Sequence, residues 1–357
     1  MGGRRARVGV GGLLAMALVV GVGVGPALAC GGLVGPGGTV QLSRTTTLAA
    51  YHGGVEHYLT AFEYRGGGAK FGSITPLPGV PTKVEKGGDW TLQRLVREVR
   101  PVQFEAAAGA ASVARTNKAE VLLTAKVDAL DLTVLRGGGM AVGTWAREHG
   151  FGLSPDAPEV LDFYADRSPI FLATSFDPTR SAQRGQRLGD GTPVHLTIPT
   201  PNPWVPLRIL GLGLQPRDAV QADVFLLTDR EPALLPKPHA GVLLDESGPA
   251  SRQLLADLRL DRGMSWLPGS GMWLSYLKVD TTAGALHHDL AIDASGQGTP
   301  SLLAAGLLDP RTGRPLADLT SPGSGLLQRL LWPGVGLLAG LALALLAVTR
   351  MPRRARG

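Results

Sequence analysis

The chain has 357 residues, with 35 Lys and Arg against 29 Asp and Glu, a formal charge of +6 that on its face suggests a basic, nucleic-acid-binding protein. Placing the charges excludes that class: residues 1–29 hold three bases and no acid, residues 350–357 hold four bases and no acid, and the remaining 28 bases face all 29 acids. A body at −1 between two basic ends, each adjoining an apolar run, has the charge pattern of membrane topology, and 44% hydrophobic residues speak against a disordered chain.

Arg4, Arg5 and Arg7 precede an apolar run at 8–24, and Ala27-Leu28-Ala29 supplies the small residues that a signal peptidase needs. This order predicts an export signal at 1–29, removed before Cys30. Cys30 is the single cysteine, which excludes an intrachain disulfide and a Cys-based zinc cluster. At the first mature position it also admits lipidation, although Ala27 stands where a bacterial lipobox has a branched apolar residue. Arg4-Arg5 admits the twin-arginine route.

The body predicts an α+β, strand-rich domain with short helices. A Thr-rich β-branched run at 39–51 and a second at 55–64 flank His52-Gly53-Gly54 as a hairpin. A third strand at 69–77 ends in Pro76, Pro78 and Pro81, which cannot donate to a ladder, so it must run along an edge or leave the sheet. Asp89 is placed to cap a helix in which Trp90, Leu92, Leu95, Val96 and Val99 recur every three or four residues, until Pro101 stops it. Residues 102–117, rich in Ala and Gly, read as a loop.

Strands follow at 120–127 and 131–135, helices at 141–147 and 157–165, and a strand at 170–176. A polar loop at 177–191 leads to strands at 194–198, 207–214 and 222–228. After Pro232, Pro236 and Pro238 the composition shifts, which divides the body into a domain at 30–240 and a smaller α+β extension at 241–293, with a helix at 251–258 and strands at 272–279 and 286–292. Gly, Pro, Ser and Leu without period at 294–329 read as a stalk. Residues 330–349 carry no charge, and as a helix these 20 residues span about 30 Å, the thickness of a bilayer core. Trp332 suits the interface, and Arg350, Arg353, Arg354 and Arg356 place the tail 350–357 in the cytoplasm. The expected architecture is therefore an α+β extracytoplasmic body plus one C-terminal transmembrane helix.

The order of several motifs resembles one exported bacterial family, domain of unknown function 2330. The motifs are Ala29-Cys30-Gly31-Gly32, the strand and proline ladder from Phe71 to Pro81, the short amphipathic helix after it, Val134-Leu135, Trp145, and Tyr164 with Phe171. Thr197-Ile198-Pro199 and Trp204-Val205-Pro206-Leu207-Arg208-Ile209 complete the likeness, which spans roughly 29–230. Members often carry a second Cys soon after the first; residues 34–36 lack one here, so a cysteine-pair redox role does not carry over. The resemblance implies an exported location and a strand-rich fold, and brings no activity with it.

Candidate chemistry is sparse. His287-His288-Asp289 sets a carboxylate beside two imidazoles, a donor set for zinc or copper, although a strand turns His288 away from the other two. His52 and His57 flank the Gly-Gly turn and could face each other across the hairpin. Gly269-Ser270-Gly271 and Gly323-Ser324-Gly325 lack the strand-to-helix elbow of a serine nucleophile, and Gly66-Gly67-Gly68 and Gly137-Gly138-Gly139 lack a phosphate-cradling fingerprint. Asp128 with Asp131, and Asp245 with Glu246, are acids that any surface turn collects.

These residues favour a membrane-anchored extracytoplasmic binding or interaction protein of the bacterial cell envelope. Its partners would be the lipid bilayer and another envelope protein, with no nucleic acid, no cofactor and no catalytic residue, and Ala29 and Cys30 would mark the processing site. The competing expectation is an envelope metal-dependent hydrolase that uses His287, His288 and Asp289.

Overall fold

A computed structural model describes residues 32–34, 40–66, 71–100, 119–184 and 191–316. Its first elements are β1 (Gly32–Val34), β2 (Val40–His52), β3 (Val55–Gly66), β4 (Phe71–Pro76), β5 (Lys83–Lys86) and α1 (Thr91–Val99). Next come β6 (Glu120–Val127), β7 (Leu130–Arg136), α2 (Gly139–Glu148), α3 (Ala157–Ala165), β8 (Ile170–Phe176) and α4 (Pro178–Gln183). The last are β9 (Val194–Pro199), β10 (Trp204–Val205), β11 (Ala219–Thr228), β12 (Ala233–Leu235), β13 (Val242–Pro249), α5 (Arg252–Leu260), β14 (Trp273–Thr282) and β15 (Leu290–Asp293). The class is α+β, strand-rich with short helices. Ala29 and Cys30, the span expected at 330–349 and the tail 350–357 lie outside the described residues, among which no helix is long and apolar enough to cross a membrane.

The described residues form three sheets, ordered β13-β14-β11-β2-β3-β9-β5, β1-β4-β8-β7-β6 and β10-β15-β12. Among the described residues, only β2 and β11 pair in parallel. Gly53 and Gly54 join β2 to β3 at φ +58° and +81°, the left-handed pair that a two-residue hairpin turn requires. The central β11 is apolar without alternation from Val224 to Leu227 because both of its faces are covered. Val224 and Leu226 enter the core between the two large sheets, with Leu132, Val134, Leu172 and Phe176. Phe225 and Leu227 enter the core beneath α1 and α5, with Leu92, Leu95, Leu254 and Leu258. A third core lies between the far face of the five-stranded sheet and α2 and α3, built on Ile74, Phe171, Trp145, Leu161 and Tyr164. The layers thus run helix, sheet, sheet, helix. Burial of each such large apolar side chain contributes about 1.5–3 kcal/mol.

Four expectations change. The composition shift near 240 is not a break in the sheet: β13 and β14 lie in the seven-stranded sheet, and β14 pairs with β11 over ten residues from Ala219 to Thr228. Residues 294–316 are not a free stalk, since Ala304, Ala305 and Leu307 are buried in the third core. The strand expected at 207–214 is instead a 3-10 turn, Arg208–Gly211. The backbone N–H groups of Leu207 and Arg208 donate to Asp289 and that of Ile209 to the Tyr164 hydroxyl, which leaves no ladder for them to join. Finally, Asp89 does not cap α1. The carboxylate of Asp261, 170 residues from Thr91, accepts the N–H groups of Asp89, Trp90 and Thr91 at 2.7–3.0 Å.

Candidate functional site

Strand alternation selects one face of the seven-stranded sheet, the face covered by α1 and α5. On β2, His52 follows Leu48 and Ala50 on that face; on β3, His57 shares it with Leu59; on β9, His195 lies opposite Leu59, and on β5 Glu85 lies opposite His195. Asp229 follows the end of β11, whose Thr228 pairs with Tyr51. Four neighbouring strands and the residue that follows a fifth therefore contribute a row: Asp229, His52, His57, His195, Glu85.

Its members meet in two groups. His52 Nδ1 lies 2.6 Å from Asp229 Oδ1, His57 Nδ1 lies 3.0 Å from His195 Nε2, and His195 Nδ1 lies 3.7 Å from Glu85 Oε1. Lys83 holds Glu85 from its far side at 2.7 Å. The indole of Trp266 stacks on the His57 ring, with 3.5 Å between centroids and 6° between planes. Gly263, at φ +75°, brings backbone so close that a Cβ there would stand 3.2 Å from His195 Nδ1. The loop after α5 thus closes over the pair from above.

Burial sets the protonation state. It pushes the His57 imidazole down to about 3, helped by His195 and His52, and the His195 imidazole down to about 4, against the pull of Glu85. Both rings are neutral at physiological pH, so the row offers nitrogen lone pairs held on a rigid sheet. Its neighbour in sequence faces the other way. Glu56 is fully buried between the sheets, and desolvation raises its carboxyl to about 8, offset in part by the backbone N–H of Trp204.

The expected pairing of His52 with His57 across the hairpin does not form, because each ring turns to a partner on a different strand. His195, Glu85 and Trp266 escape a linear reading, since 138 residues separate His57 from His195. The one local signal is Val-His-Leu-Thr-Ile at 194–198, in which His195 and Thr197 share a face.

The triplet His287-His288-Asp289 is dispersed. Asp289 is fully buried and accepts from Tyr164 Oη at 2.8 Å, Leu207 N at 2.8 Å and Arg208 N at 2.9 Å, and it pairs with the buried Arg167 at 2.5 Å. A carboxylate with these partners has no oxygen left to share with an imidazole beside it. The His287 and His288 rings stand 6.3 Å apart, and burial lowers the pKa of His288. Among the described residues, no group of three or more His, Cys, Asp or Glu is placed to hold a metal ion. The acid pairs are separated too: Asp128 lies 3.0 Å from Lys86 Nζ and Asp131 pairs with Arg180. Asp245 and Glu246 are exposed at a bulge of β13. Gly139 packs against Asp162, whose carboxylate accepts its N–H at 3.1 Å, a structural use of the Gly137-Gly138-Gly139 run.

Comparison with known proteins gives three findings. A family model described as "Uncharacterized protein conserved in bacteria (DUF2330)" matches residues 24–230. No curated protein matches. Among solved structures, the crystal structure of baculovirus P35 is similar at 10% identity and a TM-score of 0.36, over 71% of this chain and 97% of that chain, a likeness too low to transfer anything.

Proposed function

The chain belongs to the family of uncharacterized proteins conserved in bacteria (DUF2330), and from that premise we propose that it is a membrane-anchored binding and interaction protein of the bacterial cell envelope. Its body lies outside the cytoplasm, the apolar segment 330–349 crosses the bilayer once as a helix, and the basic tail stays inside. The observation that carries this reading is the segregation of charge: seven arginines at two ends, each beside an apolar run, around a body at −1. The three small residues Ala27-Leu28-Ala29 before Cys30 support export with cleavage there.

Binding is favoured over turnover by the built row on the sheet. Imidazoles braced at both ends of the row by carboxylates, with an indole stacked on one of them, form a preorganised surface for a ligand. The competing hydrolase reading loses its carboxylate to Arg167.

Protease treatment of spheroplasts carrying the full chain with a C-terminal tag tests the topology. The body is expected to be degraded from outside while a fragment with the tag survives, and the intact mature chain is expected to have a mass that begins at Cys30. A mass beginning at Met1, or a body inaccessible to external protease, overturns the proposal. Crosslinking in intact cells then identifies the envelope partner.

A further inference from the structure

We infer that His57 and His195 form a binding site for one divalent transition-metal ion of the zinc or copper kind. The inference names the ligand of the row and rests on the binding reading above only in treating that row as the body's capture site. It is separate from the dispersed His287-His288-Asp289 triplet.

Three observations carry it. The first is distance: two imidazole nitrogens bound to one tetrahedral ion at about 2.0–2.1 Å each stand about 3.3 Å apart, and His57 Nδ1 and His195 Nε2 are held at 3.0 Å. A shift of a few tenths of an ångström admits the ion once the ring that donates in this hydrogen bond carries its proton on its other nitrogen, and no strand has to move. The second is the layer behind the ligands. A metal-bound histidine usually turns its other ring N–H to a carboxylate, and His195 Nδ1 faces Glu85 at 3.7 Å. The third is enclosure: Trp266 covers one face of His57, and the bare backbone of Gly263 approaches His195, so two rotamers are fixed before any ion arrives.

Imidazole nitrogen suits zinc, copper and nickel over calcium or magnesium. With two protein ligands, the ion keeps open positions for water or for an atom of a partner. Such a site captures or presents an ion and differs from the closed four-ligand sites that hold a fold together.

The test uses the full-length chain purified in detergent, stripped with chelator, and titrated with Zn(II) and separately with Cu(II). One ion per chain is expected, and Cu(II) is expected to quench the fluorescence of the stacked Trp266, a signal that Trp266→Phe removes while binding persists. Glu85→Gln weakens binding about 10-fold. His57→Gln and His195→Gln, which keep a polar group but not the imidazole, weaken it further while the circular dichroism spectrum and the unfolding midpoint hold. The double change His287→Ala with His288→Ala leaves it intact. A chain that takes no ion, variants at His57 and His195 that bind as the parent does, or Cu(II) binding with no change at Trp266 each overturn the inference and favour a plain hydrogen bond between two buried rings. None of these outcomes touches the topology, which the protease experiment decides on its own.

Discussion

Two histidine regions of this chain reverse their apparent promise. His287, His288 and Asp289 are consecutive, yet the fold sends Asp289 inward to Arg167, Tyr164 and the backbone at 207–208 and leaves the two rings 6.3 Å apart. His57 and His195 are 138 residues apart, yet a diagonal across two paired strands brings their nitrogens to 3.0 Å. Proximity in sequence reports little about a site on a sheet, because neighbours along a strand point to opposite faces while neighbours across it share one. Each region also shows what its carboxylate does. Asp289 has spent its oxygens on structure, whereas Glu85 stands close to a ring without a full hydrogen bond.

The sharpest way to break this comparison is to change Asp289, and it has the largest expected effect. Asp289→Asn leaves the buried Arg167 guanidinium without its counter-charge, and loss of one partner of such a pair costs about 3–5 kcal/mol. The urea midpoint should fall accordingly while metal uptake by the folded fraction stays as in the parent. A drop in metal uptake with stability retained would reinstate the triplet as a site.

Next comes Glu56, which tests the alternation directly, since it adjoins His57 and faces the opposite core. Its carboxyl titrates near 4.5 when unfolded and near 8 when folded, so between those values the native state holds the extra proton. Stability contributed by the protonated acid is complete below about pH 4.5 and falls as pH rises, tenfold in the folding equilibrium per unit, until pH 8. His57 and His195 act in the reverse sense: their depressed values give stability that is complete above pH 6.5 and lost as pH falls toward 4 and then 3. Glu56→Gln should therefore remove the alkaline decline, a gain of about two powers of ten in the folding equilibrium at pH 7, and leave the acid limb in place. Urea midpoints from pH 4 to 9 read both limbs. An alkaline limb unchanged by Glu56→Gln would place that carboxyl in water.

A smaller effect is expected at Asp261, whose carboxylate bridges from the end of α5 to three N–H groups at the start of α1. Asp261→Ala removes a cap and a charge at the positive end of a helix, which costs about 2 kcal/mol. Asp89→Ala, the residue that sequence pattern favours as the cap, should cost less in the same unfolding assay.

Why pattern finds some of these features and misses others follows from what each requires. The β2–β3 hairpin was legible because two glycines sit between β-branched runs, and α5 because Ser251 supplies its cap, accepting from Leu254 N at 3.1 Å. Helix α4 carries the same kind of signal, with Asp177 capping and Pro178 first, but the polar run at 177–191 reads as a loop. The family could be recognised from the order of short motifs, and the model match at 24–230 bears that out. The four-residue β5 and the exposed β13 lack an apolar alternation because they form the two edges of the seven-stranded sheet. The turn at 208–211 carries an apolar, strand-like pattern and reads as a strand for that reason, although its backbone partners are side chains on β15's approach and on α3. The histidine row was illegible for the same cause: each contact depends on register between strands far apart in sequence.

The smallest expected effect sharpens the comparison from its quiet side. His287 is exposed and its ring has no role in holding Asp289, so His287→Ala should change the unfolding free energy by no more than about 0.5 kcal/mol. His57→Gln provides the contrast within the same assay, because stability is again nearly retained but ion binding is weakened. If His287→Ala instead shifts both the midpoint and the metal titration, then the loop at 286–289 communicates with the row through the sheet, and the two regions are a single coupled unit. If it shifts neither, adjacency to an acid has told nothing about that histidine, and register between strands alone has made His57 the one that counts.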